Sequence, residues 1–278
     1  MSIDLHIHTT ASDGDIDPVA VTRMAAESGL KVIALADHES TSGYQPAYQE
    51  SQRHGINIIP AVELLTYYKD REVHILGYFT DPDNRLLQRE LAELRRQRTK
   101  CARETVEKIR EFGFKISWPE VENLARTASP VSKGHIMQAL NRAGYIKDRN
   151  DAVDFLVKYL NREGLAYTCH YFPFESGIQL IKDAGGIPVL AHPGLIRDDE
   201  IVAELCGKGI AAVEVFYYYF GQFRAERVQK YNVLAENKGL LKTGGSDYHG
   251  TYTPVVLGEN HVPYEEVKDF LKLFGVSY

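Results

Sequence analysis

Short apolar runs alternate along the chain with segments whose apolar residues recur at helical spacing. Runs typical of strands cover residues 3–7, 32–38, 56–64, 72–79, 187–194, 210–218 and 241–250. Between the first two runs, Asp17 fits a helix N-cap, Pro18 the first helical position and Gly29 the residue past the helix end. Strands that alternate with helices predict an α/β fold with a mostly parallel sheet, open or closed into a barrel.

The alternation breaks between about residues 84 and 167. Leu87, Leu91 and Leu94 begin a long helical pattern, and two further helical patterns cover residues 133–145 and 151–164. No strong strand pattern is present in this stretch. We therefore expect a barrel built from residues 1–83 and 168–278, and a helical insertion, residues 84–167, that covers the active site.

Composition and charge exclude several classes of protein. The chain of 278 residues is 44% hydrophobic and 25% charged, which is typical of a soluble globular protein. A net charge of −6 argues against a stable nucleic-acid partner. Cys101, Cys169 and Cys206 are widely spaced, as in proteins of a reducing compartment. We find no signal-peptide pattern and no apolar run near the roughly 20 residues of a membrane span. We expect a cytoplasmic protein without a membrane partner.

The stretch "DLHIH" near the N-terminus places two histidines two positions apart. Side chains at i and i+2 of a strand point to the same face. His6 and His8 therefore leave one face together, while Leu5 and Ile7 leave the other. Such a pair can hold a metal ion, but the pair alone does not establish a metal site.

Further histidines and carboxylates lie at the strand ends, where α/β folds gather their active sites. The set comprises His6, His8, Asp13, His38, Glu63, His74, His192, Asp247 and His249. Each has a structural alternative, since Asp before Gly is a common turn residue and a single strand-end histidine is commonly hydrogen-bonded. Together, however, such groups are costly to hold unpaired, and divalent cations remove that cost. The pattern predicts two or three divalent metal ions.

The ordered motifs resemble a known family over essentially the whole chain. "DLHIHTTASDG", "ALADH", "AVEL", "VHILGY", "AHPG" and "TGGSDYHG" resemble the PHP (polymerase and histidinol phosphatase) family. Within it, the chain looks most similar to stand-alone metal-dependent phosphoesterases with a helical insertion, such as nucleoside 3′,5′-bisphosphate phosphatases. The resemblance implies a distorted (β/α)7 TIM-like barrel, the PHP fold, with a trinuclear metal centre at the carboxyl-end mouth.

The resemblance also implies how the ligands are shared. The first metal would be held by His6, His8, Glu63 and Asp247. Glu63 would bridge to the second metal, which His74 and His192 complete. Asp13, His38 and His249 would hold the third, and some family members carry His where this chain has Asp13.

The predicted chemistry is hydrolysis of a phosphate ester. The mixed donor set suits Mn, Fe or Zn. A metal-bridging hydroxide held by Glu63 and Asp247 would attack phosphorus in line. The sequence contains no G-x-S-x-G elbow and no P-loop pattern that would supply another nucleophile or phosphate site.

Substrate selection is expected in the insertion. Lys133 and His135 lie where relatives often carry Arg-Pro-His, and they would contact a second phosphate of the substrate, with Arg197 as a further candidate. The alternative is that Lys133 only opens a helix and His135 packs. Glu214, in the middle of a strand, is a candidate for a supporting position behind the metal ligands.

Four functions remain open at this point. The first is a phosphomonoesterase acting on a small phosphorylated metabolite, such as a nucleoside 3′,5′-bisphosphate or the end of a short oligonucleotide. The second is a cyclic phosphodiesterase acting on a ribose cyclic phosphate, and the third is histidinol phosphatase. The last is a non-catalytic PHP binding module, which the complete set of nine candidate ligands disfavours. The sequence does not indicate an oligomeric state.

Overall fold

Seven strands form a single sheet whose spatial order follows the chain. The structure, a computed structural model, describes residues 2–79, 81–125, 130–168, 171–219, 224–253 and 255–277. The strands are β1 (Ser2–Ile7), β2 (Leu30–Leu35), β3 (Asn57–Tyr68), β4 (Arg71–Tyr78), β5 (Ile187–Leu190), β6 (Ala212–Tyr217) and β7 (Leu241–Gly245). β4 runs antiparallel to both of its neighbours, and the other paired strands are parallel.

The first and last strands meet, which closes the sheet. The backbone N–H of Asp247 donates to the His6 carbonyl at 2.8 Å, and the N–H of His8 donates to the Tyr248 carbonyl at 2.8 Å. Gly245 allows this close approach, because a Cβ there would lie 2.4 Å from the Cβ of His6. The distorted TIM-like barrel predicted from the sequence is therefore confirmed.

Helices pack on the outside of the barrel and also form the long connection between β4 and β5. They are α1 (Pro18–Glu27), α2 (Tyr44–His54), α3 (Arg85–Glu111), α4 (Trp118–Ala125), α5 (Lys133–Arg142), α6 (Arg149–Phe155), α7 (Phe174–Asp183), α8 (Asp199–Leu205), α9 (Arg224–Lys238) and α10 (Tyr264–Lys272). A π-helical turn, Leu156–Leu160, continues α6. The predicted N-cap of α1 is present, since the Asp17 side chain accepts a hydrogen bond from Val19 N at 3.0 Å.

The long helix α3 belongs to two hydrophobic cores. Leu87 and Leu91, near its start, pack in the core of the barrel. Val106 and Ile109, near its end, pack in a second core built by α4, α5 and the residues that follow them. The connection is thus anchored to the barrel along one half of α3, while its other half organises a helical layer of its own. None of the helices that the structure describes is long and apolar enough to cross a membrane.

Candidate metal centre

The structure brings all nine predicted ligands together at one mouth of the barrel. Three groups each place one ligand atom per residue within 4.8 Å of the others. They are His6, His8, Glu63 and Asp247; Glu63, His74 and His192; and His8, Asp13, His38 and His249. The grouping follows the predicted one with one addition, because His8 also lies in the third group. Ligation of metal by these residues stays a prediction.

Strand direction explains why these side chains converge. His8, His38, His192 and Asp247 follow the carboxyl ends of parallel strands. β4 is antiparallel, so His74, near its beginning, reaches the same mouth. The backbone there is constrained, since His192 and Asp247 have φ values of +25° and +58°. Non-glycine residues adopt such values rarely, and they concentrate at functional sites.

Glu63 lies at the centre of the cluster and faces two groups at once. Its Oε1 lies 2.8 Å from His74 Nδ1 and 2.9 Å from His192 Nε2. Its Oε2 lies 3.1 Å from His8 Nε2 and 3.3 Å from His6 Nε2. A carboxylate with its two oxygens directed at different sets of ligands has the geometry of a bridging ligand.

The arrangement fits divalent cations. Three buried atoms of the cluster have no hydrogen-bond partner within the part of the chain that the structure describes: Asp13 Oδ1, His38 Nδ1 and Asp247 Oδ1. Buried polar atoms are normally hydrogen-bonded, so three such atoms from residues that line one cavity fit a bound cation. Imidazole nitrogens with carboxylate oxygens are the donors that Mn, Fe and Zn accept.

Electrostatics inside the cluster favour ionised carboxylates. Burial alone would raise the pKa of Glu63, but His74, His6 and His38 outweigh it and hold that pKa well below its usual range. Burial alone would lower the pKa of His8, yet Asp247 and Glu63 raise it to about 10. The protein without metal therefore balances its carboxylates with protons on histidines.

Several side chains that support the cluster were not predicted from the sequence. Asp37 accepts hydrogen bonds from Thr9 N at 2.7 Å and Ser12 Oγ at 2.6 Å, which fixes the loop that leads to Asp13. Glu72 lies 3.3 Å from His74 Nε2. Its place two residues before His74 on the same strand is the signal that could have identified it.

The helical connection contacts the cluster directly. Arg98 of α3 donates to both carboxylate oxygens of Glu39, at 3.0 and 2.9 Å, and Glu39 directly follows His38. Ser132, the N-cap of α5, donates from Oγ to Asp13 Oδ2 at 2.6 Å. The connection therefore holds the loops that carry His38 and Asp13.

The predicted substrate-binding residues occupy three different environments. Lys133 Nζ lies 2.7 Å from Glu72 and 5.2 Å from the centre of the Tyr167 ring. His135 is 1% exposed, and its Nδ1 accepts a hydrogen bond from Ser132 N at 3.1 Å. Arg197 is exposed, with φ +57°, in the loop after His192. Lys133 lies beside the cluster through Glu72, and His135 lies behind Ser132, whose hydroxyl contacts Asp13. Substrate binding by all three residues stays a prediction.

A cavity of about 700 Å³ opens over the cluster. Its lining includes the cluster residues Glu63, Asp247 and His249, together with Lys133. The helical connection contributes the apolar side chains Met137, Ile146, Val153 and Leu156 and the polar residues Asn141, Lys147 and Asp148. The space therefore combines candidate metal ligands with apolar surface from the connection.

Residues 4–169 match the model of the PHP domain family. The match covers more than half of the 278 residues. The chain belongs to the PHP domain family.

Curated relatives are similar along most of the chain. The 5′-3′ exoribonuclease Rnm of Escherichia coli (strain K12) is 31% identical over 92% of this chain and 87% of its own length. The phosphoribosyl 1,2-cyclic phosphate 1,2-diphosphodiesterase of Eggerthella lenta is 27% identical over 90% and 94%. The 3′,5′-nucleoside bisphosphate phosphatase of Chromobacterium violaceum is 28% identical over 89% and 87%. The relatives thus carry three different names for hydrolysis of phosphate esters.

A solved structure shares the whole architecture. A crystal structure from Bifidobacterium adolescentis, assigned to the metal-dependent phosphoesterases, superposes with a TM-score of 0.85 at 29% identity. The likeness covers 99% of this chain and 98% of the other. The PHP fold therefore extends to the helical connection as well as the barrel.

Proposed function

We propose that this protein is a metal-dependent phosphoesterase that hydrolyses a phosphate ester of a small phosphorylated metabolite or nucleotide. The observation that carries the proposal is the cluster centred on Glu63, in which six histidines and three carboxylates converge and three buried atoms have no hydrogen-bond partner among the described residues. Membership of the PHP family supports the same reaction class.

The nine residues would hold two or three divalent ions in the three groups described above, with manganese as the first choice to test. Such ions neutralise charge on phosphoryl oxygens and lower the pKa of bound water into the neutral range. Glu63 joins two groups through its two oxygens. Tyr217 donates from its hydroxyl to Asp247 Oδ2 at 2.9 Å, which orients that carboxylate and leaves Oδ1 facing His8.

The cavity supports a nucleotide-like substrate. A phosphate at the cluster would leave room for an apolar base or similar group against Met137 and Leu156. Lys133 on the same cavity is a donor for a second phosphate. We therefore propose a nucleoside 3′,5′-bisphosphate or the end of a short oligonucleotide, and we assign residues 84–167 the role of covering this site. The names of the E. coli and C. violaceum relatives support these substrate classes.

The second candidate is hydrolysis of a ribose cyclic phosphate. The observation that favours it is the relative from E. lenta, whose name states a cyclic phosphate substrate and which this chain matches over 90% of its length. The cluster itself serves either reaction, because both attack phosphorus and differ only in the leaving oxygen.

The deciding experiment identifies and quantifies the products (inorganic phosphate, mononucleotides or a ring-opened phosphomonoester) made by metal-stripped protein to which Mn²⁺ has been restored. Adenosine 3′,5′-bisphosphate, a short 5′-phosphorylated RNA and a ribose 1,2-cyclic phosphate are compared at equal concentration. Fast release of phosphate from the bisphosphate, or of mononucleotides from the RNA, supports the first candidate. Turnover of the cyclic ester alone supports the second. A metal-loaded protein that turns over none of the three contradicts the proposal.

A further inference from the structure

Glu214 is a buried carboxylate that contacts two different groups of the cluster from behind. It lies in the middle of β6 and is 0% exposed. One oxygen lies 2.9 Å from His6 Nδ1. The other accepts a hydrogen bond from the backbone N–H of His192 at 2.7 Å. A bulge between Glu214 and Phe216 interrupts the register of β6 with β7 at this point, and such irregularities re-aim side chains beside active sites.

The contact with His6 decides which ring nitrogen faces the cluster. Nδ1 faces Glu214, so Nε2 faces inward, 3.3 Å from Glu63 Oε2 and 3.4 Å from Asp247 Oδ1. In the metal-bound form a carboxylate on Nδ1 keeps the proton there and leaves the Nε2 lone pair free. Because Glu214 contacts His6 Nδ1 through one oxygen and is held by the His192 N–H through the other, the ring of His6 has one preferred orientation.

The contact with His192 holds a strained backbone. His192 has φ +25° and ψ 62°, which a residue with a side chain seldom adopts. Its N–H donates to Glu214, and its Nε2 lies 2.9 Å from Glu63 Oε1. The hydrogen bond to Glu214 therefore helps to keep the His192 imidazole directed at Glu63, in the group that also contains His74.

We propose that Glu214 is a positioning residue that orients His6 and His192 together and so couples two of the three metal positions. The inference rests on the metal centre of the proposed function. Glu214 acts through the two histidines and does not touch the ions or the substrate. Removal of one of its two acceptor oxygens should weaken metal binding at both positions. The third group, which contains His38 and His249, has no contact with Glu214 among the described residues and should be unaffected.

The test is the isosteric change Glu214→Gln in the full-length, metal-stripped protein, titrated with Mn²⁺ by calorimetry. Glutamine offers one acceptor oxygen and one donor group, so it cannot accept from both His6 and His192. We expect Mn²⁺ binding to weaken roughly 10- to 100-fold, the usual effect of losing such an outer contact. The matched control is Glu50→Gln, because Glu50 is 3% exposed and paired with Arg53 at 2.7 Å, outside the cluster.

A second readout follows His6 itself. In Zn²⁺-loaded protein labelled with ¹⁵N-histidine, the proposal expects a protected Nδ1–H on His6 that is shifted or lost in E214Q and unchanged in E50Q. If E214Q does not fold, Glu214→Asp replaces it, since a side chain one methylene shorter keeps the charge but does not reach both donors. Weaker Mn²⁺ binding by folded E214D then supports the proposal.

Three outcomes overturn the inference. Wild-type Mn²⁺ affinity in folded E214Q or E214D shows that Glu214 positions no ligand. An equal loss in E214Q and E50Q shows a general effect of burying an amide. Failure of the wild-type protein itself to bind Mn²⁺ contradicts the proposed metal centre, and this result is distinct from a failure of Glu214 alone.

Discussion

Glu63 is the residue on which most of the candidate site depends. Its oxygens lie within 3.3 Å of nitrogens from both of its groups. We predict that Glu63→Ala abolishes detectable turnover and lowers metal content by more than one ion, because one carboxylate serves two positions. Phosphate release and metal analysis of the purified variant check this. Glu175→Ala, on an exposed part of α7, is the control, and a fully active E63A would contradict the assignment.

Lys133 is expected to bind the second phosphate of the substrate. We predict that Lys133→Met raises KM for adenosine 3′,5′-bisphosphate about 10-fold or more, in line with about 1.5–3 kcal/mol for a hydrogen bond to a charged group. The effect on adenosine 3′-monophosphate, which lacks the second phosphate, should be much smaller. Steady-state kinetics on both substrates measure the difference. Equal losses on both would show that Lys133 acts through Glu72 and the cluster instead.

Two histidines should release protons when metal binds. Burial lowers their pKa values, but Glu63 and Glu72 raise that of His74 to about 9, while Asp247 and Glu63 raise that of His8 to about 10. Both rings are therefore protonated at pH 8 without metal, whereas a free imidazole with pKa near 6.5 is neutral there. We predict proton release at pH 8, seen as different binding heats in Tris and HEPES. Equal heats after dilution correction would refute these shifts.

At this scale the sequence predicted most of the site. Period-two spacing found His6 with His8, and the predicted strands with the loops that follow them located the other seven candidate ligands. The sequence did not predict contacts between residues that are distant in the chain. Glu39 meets Arg98 across 59 positions of the chain, and the N–H of His192, a residue with positive φ, meets Glu214 across 22 positions. Neither has a local pattern in the chain.

At the scale of elements, the hairpin of β3 and β4 is the main departure from the expected alternation. The predicted strand at 56–64 continues as β3 to Tyr68, and β4 returns antiparallel after Lys69 and Asp70, which have φ values of +42° and +63°. Hairpin turns of this kind usually contain Gly, and this one has only Asp70 among the typical turn residues. The turn therefore gave a weak signal, although it brings His74 to the mouth.

The ion pair between α3 and the loop after β2 gives a prediction for these elements. Glu39 is 0% exposed, and Arg98 supplies both of its guanidinium contacts from one nitrogen. Arg98→Met leaves that carboxylate buried without its cation, which typically costs about 3–5 kcal/mol. We predict a clearly lower Tm and faster proteolysis within α3. The double variant E39Q/R98M should recover part of the loss, and an unchanged Tm in R98M would show that the pair does not anchor the helix.

At the scale of the whole molecule, the barrel supplies the charged cluster, and the helical connection lines the cavity above it. The connection cannot be treated as an independent addition, since α3 spans both cores and Ser132 reaches Asp13. The sequence indicated where the alternation of strands and helices stops. It did not indicate that the first half of α3 packs in the barrel core and the second half in the core of the connection. The boundaries at 84 and 167 stay a prediction for this reason.

This coupling predicts how metal removal and pH act on the stability of the folded chain. The pKa values of His8 and His74 are raised on folding, so their contribution to stability is complete below about pH 6.5 and is lost as the pH rises through about 9 to 10. Bound metal would replace those protons, and saturation at 1,000 times Kd would add about 4 kcal/mol to the free energy of unfolding. We predict that Mn²⁺ raises the Tm of chelator-treated protein, and more at pH 9 than at pH 6.5. Thermal melts with and without Mn²⁺ at both pH values measure the two increments, and a larger increment at pH 6.5 would contradict the protonated cluster.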